Sequence, residues 1–245
     1  MGKKMSVDDI NKLSALCIQH GFVRKGNTFF RAVGDGVLQI IKFQYERCFE
    51  HYSLDFGLLS LYEVLSEEDF SARNHATNYS ICIFANQRNA VLMKKVDGIF
   101  VIEIMSPQAQ IKLLEKHGFS WLDSIDSQRA LTLALCDLDV KMHGEIIWNR
   151  TRKIAPYLAT GNYAYAEKVI YSILNQHLGP ESWTSLPWTE EDYARYMDLY
   201  PKKDADLIQI HEWISNNDPQ KIQEYLSLNY FRNLKLGKFL RLTLE

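Results

Sequence analysis

The chain has 245 residues, of which 47% are hydrophobic and 24% charged, and carries a formal net charge of -2. That balance excludes a disordered or fibrous chain and predicts a packed core. Without a basic excess, nucleic acid is not an expected partner, and the length admits one large domain or two small ones.

The N-terminus is basic at Lys3 and Lys4 but runs into Val7-Asp8-Asp9 rather than an apolar stretch, so it does not read as a secretory signal. No run of roughly eighteen apolar residues occurs, so a cytoplasmic chain with no membrane partner is expected. Ser6 reads as an N-cap, with Asp8 and Asp9 in the first helical turn where carboxylates complement the helix dipole. Ile10, Leu13, Leu16 and Cys17 then recur at helical spacing up to a stop at Gly21.

A hairpin follows, because Phe22 to Lys25 and Thr28 to Val33 flank Gly26-Asn27, residues that tolerate the positive φ of a tight turn. Gly34-Asp35-Gly36 makes the next turn. It has two glycines of a dinucleotide fingerprint, but it sits between antiparallel strands and lacks the following helix that would hold a pyrophosphate. Val37 to Tyr45 alternates Val37, Gln39, Ile41 and Phe43 against Leu38, Ile40, Lys42 and Gln44. Tyr52 to Leu59 alternates Tyr52, Leu54, Phe56 and Leu58 against Ser53, Asp55 and Gly57, as a half-buried strand does. Tyr79 to Phe84 is a candidate fifth strand. Residues 91 to 104 read as a helix-rich segment with room for one further strand.

The segments GFVRKGNTFFR, DGVLQIIKFQ and YSLDFGL resemble the bacterial domain-of-unknown-function 4304 family. The resemblance covers residues 6 to 60 and extends towards 125 through GFSWLDSI. It implies a fold unit of a helix and an antiparallel meander, and no catalytic residue comes with it.

From Pro107 the period becomes helical, with a helix to His117 stopped by Gly118. Further helices are expected near 126–140, 143–155, 162–178, 189–199, 204–216 and 218–240, punctuated by Gly161-Asn162, Gly179-Pro180, Pro187, Pro201 and Asp218-Pro219. The expected architecture is therefore α+β: an N-terminal helix on an antiparallel meander of four to five strands, then a mainly α-helical half. The division falls at 1–105 and 106–245, with the helical region able to pack on the first as one unit.

Motifs whose chemistry fixes their spacing are few. Cys17, Cys48, Cys82 and Cys136 are scattered without a CxxC pair, which reads as free thiols rather than a zinc or redox site. His211-Glu212 lacks the second histidine of HExxH, and neither a GxSxG elbow nor a phosphate loop occurs. No cofactor, metal or catalytic residue is assigned. The candidate binding residues are Arg31, Lys42, Gln44 and Asp55, which adjacent strands could bring onto one sheet face, and Trp183 and Trp188, whose indoles flank a loop. The bland reading of the first four is a set of cross-strand ion pairs on a solvated face. Cys48 and His51 share a loop without a visible third partner. Arg150, Arg152 and Lys153 follow Trp148, and their expected place is a helix C-terminus, where the dipole favours cations. Two functions follow as expectations: a non-catalytic module or immunity-like accessory factor binding a protein partner in a groove between the two halves, or an enzyme centred on Lys42, Gln44 and Asp55.

Overall fold

The computed structural model describes residues 6–46, 51–71, 79–80, 92–96, 99–103, 106–141, 150–178 and 205–238. Helix α1, Val7–Gln19, starts at a capping box: the Ser6 hydroxyl accepts the Asp9 amide while the Asp9 carboxylate accepts the Ser6 amide. Strands β1 (Val23–Lys25), β2 (Thr28–Val33), β3 (Val37–Glu46), β4 (His51–Ser60) and β5 (Tyr79–Ser80) pair antiparallel in chain order. In the first hairpin only Gly26 takes positive φ, at 66°, so the two-residue turn places its glycine first. Strands β6 (Leu92–Val96) and β7 (Ile99–Glu103) form a separate hairpin. The expectation of a helix-rich segment at 91–104 is thus overturned: the β-branched run Ile99-Phe100-Val101-Ile102 pairs as a strand rather than burying as a helix.

One sheet face carries Phe29, Val37, Ile41, Phe43, Leu54, Phe56 and Leu58, buried against Leu13 and Cys17 of α1. The same cluster takes in residues from α2 (Pro107–Leu113), a π-helical turn (Leu114–Gly118), α3 (Phe119–Asp123) and α4 (Gln128–Lys141). Helices beyond residue 105 therefore complete the core of the sheet. Gly118 does not stop its helix: it stays helical at φ -67° and ψ -46°. A Cβ there would meet Leu114 Cδ1 at 2.8 Å and Phe56 Cζ at 3.6 Å, so this glycine serves close packing on the sheet. Gly34 has a comparable role with positive φ, because a Cβ would strike the carbonyl oxygen of Asp126 where the β2–β3 turn docks.

A second, wholly helical cluster joins α5 (Arg150–Ala159), α6 (Tyr163–Leu178), α7 (Ala205–Ser215) and α8 (Pro219–Leu236). Helix α5 runs through Pro156 to Ala159 rather than ending at 155. Burial of Ile154 and Leu158 on either side offsets the one hydrogen bond a proline removes, a loss of about 3 kcal/mol. The helix expected at 189–199 lies outside the described residues. Among those described, no helix is long and apolar enough to cross a membrane.

Helix α8 links the two clusters. Its first half buries Ile222 and Leu226 among the helices. Its second half lays Tyr230, Leu234 and Leu236 over Phe30, Leu38, Ile40 and Leu59 on the opposite sheet face. That face was expected to be solvated, and at this end it is not: the apolar members of the alternation need a cover, which a helix remote in sequence supplies.

Candidate functional site

The strand register decides what becomes of the polar set read from the sequence. Lys42 stands opposite Thr28 on one side and Asp55 on the other, and Gln44 opposite Ser53. The Gln44 amide donates to Asp55 Oδ2 at 2.8 Å, and the Ser53 hydroxyl donates to the same oxygen at 3.0 Å. Lys42 is 6% exposed and Asp55 8%, with Gln44 and Ser53 half-buried, so the charged pair of this row is withdrawn from solvent. Two neutral donors on one carboxylate oxygen hold it in place, as buried polar groups require.

Arg31 does not join them. It faces Gln39 across the strands and lies on the other side of the sheet, because side chains alternate. Its guanidinium donates to Gln39 Oε1 at 2.9 Å, to the His20 carbonyl at 2.8 Å and to Asp123 Oδ1 at 2.6 Å, and covers the Phe22 ring at 4.5 Å. Gln39, fully buried, donates onward to the carbonyls of Leu122 and Ile125. This knot ties α1 and the end of α3 to the sheet. Trp183 and Trp188 lie outside the described residues, as does Cys48, so the Cys48–His51 pairing has no structural counterpart to describe.

The site that sequence reading missed lies where the chain leaves β4. Leu61, Tyr62 and Glu63 pass beneath α8, and two asparagines one turn apart on that helix hold them. Asn233 donates to the carbonyls of Leu61 and Glu63 at 2.8 and 2.7 Å, and Asn229 to that of Tyr62 at 3.2 Å. Tyr62 stacks on Tyr230 at 5.2 Å and donates its hydroxyl to Asp35. So fixed, Glu63 and Val64 close one wall of a cleft of about 210 Å³, completed by Ile154 and Leu158 of α5, Asp206 and Ile210 of α7, and Tyr225 of α8.

The electrostatics of this seam are unusual. Arg152 Nη1 comes within 3.4 Å of Glu63 Oε1, but among the described residues Nη1 makes no hydrogen bond, and Glu63 Oε2 is buried with no hydrogen-bond partner. Burial pushes the Glu63 carboxyl up to about 7, against the pull of Arg152 and with a further push from Asp69. The Tyr225 hydroxyl is also raised, first by burial and then by the charges of Asp206 and Glu63. Arg152 lies within α5, well before its end at Ala159, so the expected role of capping a helix C-terminus is overturned. The run Arg150-Thr151-Arg152-Lys153 was the sequence signal for this cation, and its acidic partner gave none.

Two other polar clusters complete the picture. Between α6 and α7, His211 Nδ1 meets Glu167 at 3.2 Å and Nε2 lies 3.4 Å from the Tyr171 hydroxyl, an acid–imidazole–phenol chain that joins the two helices. A broader hollow of about 660 Å³ mixes Lys25, Lys235 and Lys238 with Glu67 and Glu68, and Lys25 donates to the Phe70 carbonyl at its floor. Cys17 is buried with its thiol pushed far up, which makes it inert, and Cys136 lies 3.4 Å from the Tyr157 hydroxyl. No family model, curated protein or solved structure matches this chain.

Proposed function

We propose that this chain is a non-catalytic binding module, in the manner of an accessory or immunity-like factor, that receives a protein partner at the seam between sheet and helices. The observation that carries this reading is Glu63 Oε2, a buried oxygen without a hydrogen-bond partner among the described residues, beside a cleft with largely apolar walls. Buried polar atoms are satisfied in the great majority of folded structures, and exceptions ask for an explanation. A cleft of about 210 Å³ is also smaller than the roughly 300–1,000 Å³ of sites for drug-sized ligands, and suits an inserted side chain. The enzyme reading has less support, since Asp55 is buried and already accepts two hydrogen bonds. We further propose kinship with the domain-of-unknown-function 4304 family, on the strength of the hairpin and strand segments alone.

The test is to recover a stoichiometric partner with the tagged chain and then map amide exchange with and without it. Protection is expected at residues 61–64, 151–158 and 206–210, and replacement of Ile210 by Trp, which fills the cleft, is expected to weaken the complex at least tenfold. Recovery of no stoichiometric partner, or protection confined to the far side of the sheet, overturns the reading.

A further inference from the structure

Among the described residues that line the seam cleft, every formal charge is negative: Glu63 sits against its wall and Asp206 at its exposed mouth. The Tyr225 hydroxyl feels both carboxylates. Among the described residues, Arg152 is the cation placed against Glu63, its Nη1 3.4 Å from Oε1 without a hydrogen bond. Asp69 adds a second carboxylate whose charge acts on Glu63. Apart from Thr151 and the Tyr225 ring, the remaining walls are aliphatic, chiefly from Val64, Ile154, Leu158, Leu207 and Ile210. Aliphatic walls with an acidic end are complementary to one kind of side chain, an alkyl stem that ends in a cation.

We infer that the seam cleft binds a primary alkylammonium group, the side chain of a lysine presented by the protein partner. The inference rests on the binding-module reading and adds the chemistry of what is bound. The four methylenes lie along Ile154, Leu158 and Ile210, where burial of apolar surface is favourable. The ammonium stands among Glu63, Asp206 and Tyr225, and its three N–H donors supply what Glu63 lacks. Lysine fits better than arginine here, since a compact ammonium takes less room beside the Arg152 guanidinium than a second planar fork would.

Binding then has a definite pH dependence. The charges that act on Glu63 come from Arg152 of α5 and Asp69 of the segment after β4, while Asp206 of α7 and Tyr225 of α8 line the same cleft. A cation favours ionised Glu63, so binding releases a proton where Glu63 was protonated, and affinity rises as pH passes upward through about 7.

The experiment titrates the intact chain with Nα-acetyl-lysine-N-methylamide, with the norleucine analogue that lacks the ammonium, and with n-butylammonium, at pH 6 and pH 8. The lysine probe is expected to bind at least tenfold tighter than the norleucine probe at pH 8, with the ratio falling at pH 6. Glu63→Gln is expected to remove the pH dependence, and Asp206→Asn, at an exposed helix start, to lower lysine affinity several-fold without loss of fold. Equal binding of lysine and norleucine probes, or an unchanged ratio in both variants, overturns the inference. Binding of n-butylammonium without binding of the capped lysine overturns the assignment to a partner's side chain. If a protein partner still protects the cleft while the lysine probe fails, this inference falls and the binding-module reading stands.

Discussion

Two buried polar clusters join remote parts of this chain to the sheet, and they are built to opposite standards. At Gln39 both ends of the amide are used: Oε1 takes Arg31, and Nε2 serves the carbonyls of Leu122 and Ile125. At the seam, Glu63 Oε2, Arg152 Nη1 and Asn233 Oδ1 are all buried without a hydrogen bond among the described residues. The difference separates a fastening from the site proposed as a receptor, because a closed network gains nothing from a ligand whereas an open one does.

The contrast is sharpest in stability. Gln39→Leu strands the Arg31 Nε and removes the Gln39 donor from the carbonyls of Ile125 and Leu122, the latter keeping the Ile125 amide, and at about 1–3 kcal/mol per stranded group is expected to lower unfolding free energy by about 3 kcal/mol in urea titrations. A loss below about 1 kcal/mol would mean that the knot is dispensable and the contrast false. Glu63 provides an effect of similar size, through pH. Its folded value, raised from 4.5 to about 7, means that the folded chain keeps a proton that the unfolded chain has released within that window. Stability is therefore full below pH 4.5 and falls, by a total on the order of 3 kcal/mol, as pH rises through 7. Thermal melts across pH 4–8 should show this decline in the native chain, and Glu63→Gln should flatten it.

Smaller effects refine the comparison. Asn233→Ala frees the carbonyls of Leu61 and Glu63 and is expected to cost about 2 kcal/mol, while loosening the cleft wall. Phe231→Ser, on the outer face of the same helix at 62% exposure, should change stability by less than about 0.5 kcal/mol. Denaturant midpoints of the two variants side by side would show whether α8 acts through its inner face alone.

Much of the fold was legible because it is written in short-range pattern. The capping residues Ser6 and Asp9, the Gly26-Asn27 turn and the strict alternation along β3 each depend on neighbours a few residues away. Even the exile of Arg31 from the Lys42 face follows from that alternation once the register is known, since Arg31 opposes Gln39. Gly118 misled because a glycine can mark a stop or a close approach, and only Phe56 from a distant strand decides which. The seam was illegible for a related reason. Glu63 is an ordinary surface residue by sequence, and its raised carboxyl arises from burial beneath helices far along the chain.

Helix α8 has a kinetic consequence. Asn233 meets Leu61 across 172 residues, so closing that contact carries a large loop entropy, and the sheet must wait for it with Leu38, Ile40 and Leu59 bare. The late step of folding and the earliest step of native-state opening are then the same event, the docking and release of one helix. The proposed ligand, by bridging Glu63 and Tyr225, would slow that release, and the lifetime of the whole fold would then report occupancy.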